Sequence, residues 1–93
     1  MNTKAKGTRA EHRAIRILEA AGYVCTRASA SLGAFDVIAV GPADVRLIQV
    51  KAGGAYLSGV EREAIAAIAV PPSVSKEAWR FPDRCRAPLI ERL

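Results

Sequence analysis

The chain predicts an α/β fold in one domain, helices flanking a central mixed sheet, with the element order αβββαβ and a short edge segment at the end. Three observations predict it. Ala14, Ile17, Leu18 and Ala21 recur at helical spacing and stop at Gly22. Two runs rich in β-branched residues, Ala34-Phe35-Asp36-Val37-Ile38-Ala39-Val40 and Val45-Arg46-Leu47-Ile48-Gln49-Val50-Lys51, flank Gly41-Pro42-Ala43-Asp44, which reads as a hairpin turn. A second helical stretch opens at Ser58 and stops before Pro71-Pro72.

The first helix is predicted from near Thr8 to Ala21, with Gly22 free to take the left-handed conformation that ends it. Thr8-Arg9-Ala10-Glu11 matches a capping box, and Thr3 is an alternative cap for a longer helix. Glu11 therefore has two readings. It either bonds back to the Thr8 amide, or it stands with Ile15 and Leu18 at the edge of the core-facing stripe, where a carboxylate needs a partner such as a metal or Lys51. Tyr23-Val24-Cys25-Thr26-Arg27 reads as a strand, followed by the small, polar loop Ser29-Ala30-Ser31-Leu32-Gly33. In the second helix Ser58 and Glu61 make another capping box, and the apolar side through Ile65 and Ile68 is expected to cover the sheet. Trp79 and Phe81 alternate as in a strand from Lys76 to Phe81, with Trp79 read as core. Pro82-Asp83 reads as a turn, and Pro88 confines Ala87 to Leu93 to a sheet edge.

At 93 residues one core buries roughly 60–65% of the unfolded surface without staples. Cys25 and Cys85 fit no metal or redox spacing, which reads as idle thiols in a reducing cytoplasm. The longest apolar stretch, Ala64 to Val70, falls short of the ~20 residues that span a bilayer, so no membrane association is expected. Fourteen Lys and Arg against nine Asp and Glu give a net charge of +5. Lys4, Lys6, Arg9, Arg13 and Arg16 face only Glu11 among the first sixteen residues. Phosphate contact is one reading of that face, and a solvated cationic surface is the other. Lys4, Lys6, Arg9, Arg13, Arg27 and Tyr56, the last in the loop after Lys51, are the candidate contacts to nucleic acid.

Side chains alternate along a strand, so Gln49 and Lys51 project from one face of the hairpin while Ile48 and Val50 project from the other. With Asp36 on the neighbouring strand and Glu11 on the preceding helix, carboxylates, a carbonyl and an ammonium converge. Such a group is the skeleton of a metal-dependent nuclease site. His12, about 100° around the helix from Glu11, is read as facing solvent or phosphate.

From Lys6 to Phe81 the chain resembles the PD-(D/E)xK nuclease superfamily, and within it the archaeal-type Holliday junction resolvases. Lys6-Gly7-Thr8-Arg9-Ala10-Glu11 looks like the opening helix signature, Gly22-Tyr23 the helix exit, Phe35-Asp36 the metal-binding aspartate and Gln49-Val50-Lys51 the last motif. The resemblance implies a restriction-endonuclease-like core and a catalytic group of Glu11, Asp36, Gln49, Lys51 and a serine ahead of the aspartate, placed at Ser31 with Ser29 as the alternative. It implies Mg²⁺, with Mn²⁺ as a substitute, held by Glu11, Asp36, the Gln49 amide and the Val50 backbone carbonyl. Branched or four-way DNA is the implied substrate, cut by a homodimer because a junction presents two symmetric strands. Resolvases usually carry Glu where this chain has Gln49; glutamine occurs there in other branches, including virus-type replication-repair nucleases, which also resemble Lys51-Ala52-Gly53-Gly54 through Leu57-Ser58. Two further readings follow: a replication-repair or restriction-type nuclease on other DNA, and a DNA-binding module of the same fold with a weakened site.

Overall fold

The computed structural model describes residues 3–28 and 35–93. Its elements are α1 (Thr3–Ala20), β1 (Val24–Arg27), β2 (Val37–Val40), β3 (Val45–Ala52), α2 (Gly59–Ala66), β4 (Val74–Phe81) and β5 (Leu89–Arg92). This is the predicted order, with the last edge segment formed as a strand. The five strands lie in the order β1-β2-β3-β4-β5, all pairs antiparallel except β3 with β4. A parallel pair needs a crossover, and α2 supplies it. Among the described residues no helix is long and apolar enough to cross a membrane.

The core lies between α1 and one sheet face. Ala10, Ala14 and Leu18, four residues apart, form one buried stripe against Val37, Ala39, Ile48, Val50, Trp79 and Phe81. The two alanines let the helix backbone approach closely, and Trp79, 1% exposed, fills the space beneath. Truncating a tryptophan so placed costs about 3–5 kcal/mol. Ile17, counted in the predicted stripe, is instead among the exposed apolar residues, because the stripe runs through Ala10.

Several predicted boundaries shift. α1 starts at Thr3 rather than near Thr8, so Glu11 lies two turns inside it and the Thr8–Glu11 capping box does not form. β2 starts at Val37, three residues later than the apolar run. α2 ends at Ala66, with Ile68 only in the following turn, and β4 starts two residues before Lys76. The Ser58–Glu61 capping box is present in full.

Turn chemistry follows the sequence closely. Gly22 has φ +96°, as expected of the residue that ends α1. The hairpin turn closes with Gly41 N–H donating to the Asp44 carbonyl at 2.8 Å, and a Cβ on Gly41 would stand 2.8 Å from the Tyr23 ring. The Tyr23 hydroxyl in turn donates to the Asp44 carboxylate at 2.9 Å, tying the exit of α1 to the hairpin. Cys25 and Cys85 are both free thiols.

Candidate active site

The hairpin register places the site. Val37 pairs with Ile48, so Asp36, one residue earlier, stands opposite Gln49, and Lys51 follows on the same face. Asp36 is locked into the ladder from both ends: its N–H donates to the Ile48 carbonyl at 2.8 Å, and its Oδ2 accepts the Val50 N–H at 2.8 Å. Backbone groups of alternate residues point to the same side of a strand, so the Val50 carbonyl faces the same flank as the Asp36 carboxylate. Burial raises the pKa of Asp36; the Val50 N–H pulls it down, Glu11 raises it, Lys51 lowers it and Glu61 raises it. Four ionisable groups, from α1, the residue before β2, β3 and α2, thus share one field.

Glu11 has a partner other than the two anticipated. Its Oε1 accepts from Arg27 Nε on β1 at 2.7 Å. Arg27, a candidate DNA contact, is held at the site in the same way. Lys51 Nζ donates to Glu61 Oε2 at 3.0 Å. Glu61 is fixed in turn, since its Oε1 accepts the Ser58 N–H at 3.0 Å while Ser58 Oγ accepts the Glu61 N–H at 3.1 Å. These bonds, the Ser58 N–H first and Lys51 next, lower the pKa of Glu61. The N-terminal turn of α2 therefore holds a charged carboxylate against the site lysine.

The remaining predicted residues scatter. Lys6 pairs with Asp83 at 2.6 Å. Arg13 stacks on Phe81 with its guanidinium 4.8 Å from the ring centre and donates to the Cys85 and Arg86 carbonyls, so it braces the loop after β4. Arg9, His12 and Tyr56 are exposed. Ser31, its alternative Ser29 and the side chain of Lys4 lie outside the described residues.

Sequence reading missed two things here. Glu61 was seen only as a cap, although its free oxygen was available to a neighbour. Glu77 was not singled out. It is 1% exposed and accepts from both Arg46 Nε and Nη2, from Ser75 and from Trp79. Its signal was a carboxylate in alternation with Trp79 and Phe81, matched by Arg46 in alternation with Ile48 and Val50: opposite charges on the core face of adjacent strands.

Among the described residues no three of His, Cys, Asp and Glu stand close enough together to hold an ion by themselves. The donor set nevertheless fits a hard divalent cation: a half-buried carboxylate, an amide oxygen and a backbone carbonyl on one flank, with Glu11 and Glu61 repelling Asp36 as a cation would relieve.

Comparison with known proteins accords with this geometry. The family model described as archaeal Holliday junction resolvase (Hjc) matches residues 2–82. Among solved structures the chain is similar to Hjc, a Holliday junction resolvase from the archaeal hyperthermophile Archaeoglobus fulgidus. Identity is 25% and the TM-score 0.74, over 94% of this chain and 72% of that one. No curated protein sequence matches. A family model spanning most of the chain, and a fold shared with a solved resolvase, lead to one conclusion: this protein belongs to the archaeal Holliday junction resolvase family of PD-(D/E)xK nucleases, which cut branched DNA by its structure.

Proposed function

We propose that this chain resolves four-way DNA junctions as a Mg²⁺-dependent endonuclease, with Mn²⁺ as a substitute, working as a single-domain protomer of a homodimer in the cytoplasm. The observation that carries the reading is the convergence of Asp36, Gln49 and Lys51 on one sheet face, with the Asp36 carboxylate fixed on the Val50 N–H. Asp36, Glu11, the Gln49 amide and the Val50 carbonyl would hold the ion. When bound, Mg²⁺ supplies polarisation of the phosphodiester and a more acidic water.

The chain's own groups do the rest. Lys51 sets positive charge beside the phosphoryl oxygens, where negative charge develops during hydrolysis. Glu61 fixes where that ammonium stands. Arg27 fixes the Glu11 carboxylate by its bond from Nε. Gln49 contributes an oxygen without charge, so the free site binds metal less tightly than one with three carboxylates, and the DNA phosphate completes it. A serine of the 29–34 segment, Ser31 or Ser29, joins the catalytic group. Lys6, Arg9 and Lys4 on the first turns of α1 add phosphate contacts. Two copies present two such sites to the two symmetric strands of a junction.

One observation favours a second reading, a DNA-binding module with a weakened site: Gln49 carries no charge, and the charge of Lys51 is met by Glu61. Cleavage of synthetic four-way junctions, flaps and linear duplexes with Mg²⁺ or Mn²⁺ decides. The expected result is paired nicks in junctions, abolished in Asp36→Asn and in Lys51→Ala with junction binding largely kept. Metal-dependent cleavage by either variant would remove the site; binding without cleavage by the parent protein would establish the module.

A further inference from the structure

The sheet face that carries Lys51 continues onto β4, where Arg80 is its direct cross-strand partner. Like charges opposite one another on adjacent strands destabilise a sheet. Their surroundings differ. Lys51 is matched by Glu61 and the nearby Arg62 by Glu91, whereas Arg80 has no carboxylate partner among the described residues. Its Nε is buried and has no hydrogen-bond acceptor among them either. A buried guanidinium N–H left without an acceptor is an expensive group to keep, more so a charged one.

Arg80 also lines a cavity of about 110 Å³ with Lys51, Tyr56, Arg62, Leu89 and Glu91. That volume is well above the ~10–15 Å³ that one water needs and is adequate for a tetrahedral oxyanion. Tyr56 is part of the lining. Its ring lies over the Arg80 guanidinium, 4.2 Å from carbon to ring centre, and it is 66% exposed. The stack fixes the plane of the fork without using any of its donors, a pre-ordering that suits bidentate capture of a phosphate.

From the paired cations, the unpartnered Nε and the cavity we infer that Arg80, beside Lys51, forms a subsite for a backbone phosphodiester of the bound DNA strand, next to the one that is cut. The proposal rests on the nuclease reading of Lys51 and extends it by one phosphate along the strand. Tyr56 holds the plane of the fork in one orientation, and the phosphate oxygens accept from the fork's outer Nη donors while offsetting the charge of a guanidinium whose Nε is unpartnered. Arg62 remains balanced by Glu91 at the rim, so the net charge offered to the phosphate comes from Arg80.

The test measures binding, separately from cleavage. A fluorescein-labelled four-way junction is titrated with wild type, Arg80→Met and Arg80→Lys in EDTA over a series of KCl concentrations. Loss of one phosphate contact should reduce the slope of log affinity against log salt by about 0.9 in Arg80→Met and weaken binding about tenfold. Arg80→Lys should restore the slope but not the full affinity, because an ammonium lacks the fork. The Nε–Hε resonance of Arg80 is followed in wild type by NMR with junction DNA and, separately, with inorganic phosphate; both should shift it. Unchanged slope and affinity in Arg80→Met, or a resonance still in both titrations, would overturn the subsite. If Arg80→Met fails to fold, Arg80→Lys and the resonance decide. If wild type binds no junction at all, the nuclease reading falls, and the phosphate titration alone tells whether the anion site exists.

Discussion

Changing Glu77 to glutamine tests what clamps β4 to β3 beneath the candidate site. The carboxylate is 1% exposed and takes four hydrogen bonds, from Arg46 at 2.9 and 2.7 Å, Ser75 at 2.7 Å and Trp79 at 2.9 Å. Burial opposes its ionisation, but the bonds from Arg46, Trp79 and Ser75 outweigh it and bring the pKa from 4.5 to about 2. At ~1.4 kcal/mol per pH unit, that gap corresponds to about 3 kcal/mol of stability. The folded pKa lies below the unfolded one, so the contribution is fully present above about pH 4.5 and lost as the pH falls towards 2. Glutamine offers one oxygen to four donors, turns an NH₂ towards the others and leaves Arg46 without its counter-charge. Breaking a buried pair in this way costs about 3–5 kcal/mol. Taking ~3 kcal/mol, and ~4–8 °C per kcal/mol for a domain of this size, Tm at neutral pH should drop by about 12–24 °C. Thermal melts followed by Trp79 fluorescence supply the measurement, repeated down an acid series in which wild type should lose stability and Glu77→Gln should lack that component. A variant melting within ~3 °C of wild type, or one with the same acid dependence, would refute the reasoning.

Three further outcomes are expected. Gln49→Glu keeps the oxygen and adds charge, so half-maximal cleavage should need less Mg²⁺, while Gln49→Ala should need more; superimposed Mg²⁺ titrations would sink the ligand role. Glu61→Gln should loosen Lys51 and lower kcat with little change in junction affinity, and it should also cost ~1 kcal/mol of stability through the weakened cap, read by urea denaturation. Arg27→Met leaves Glu11 without its bonded cation and the carboxylate site more negative, so the Mg²⁺ requirement of cleavage should fall; an unaltered requirement would show Arg27 to be a surface residue only.

The element order was legible in the sequence because each element carries its own local signal. Alternation in β3 and β4, Gly22 after the α1 periodicity and the Ser58–Glu61 box all act within a few residues. The convergence of Asp36 with Gln49 and Lys51 followed from alternation plus one short turn, which fixes register. What escaped depends on pairing between distant strands. The Thr8–Glu11 box is a valid cap, but the turn N-terminal to Thr8 is helical as well, so Glu11 sits inside the helix and is claimed by Arg27, sixteen residues on. Lys51 beside Arg80, and Arg46 with Glu77, meet only once β3 and β4 align in parallel across the α2 crossover, and no local pattern gives that offset.

The short helix α2 buries only Ile65 well, and Val60 on it is 79% exposed. Its other ties are charged: Lys51 meets Glu61 at its start, Arg62 meets Glu91 of β5, and Lys76 donates to the Ile65, Ala66 and Ile68 carbonyls at its end. Attachment of that kind is electrostatic and weakened by salt, unlike the dry packing under α1. The helix should therefore open at lower free energy than the strands it covers, and its amides should exchange with solvent well before those of β3 and β4. Each such opening withdraws Glu61 from the Lys51 ammonium while the strands beneath stay folded, so how firmly the lysine is held is set by the local stability of one helix.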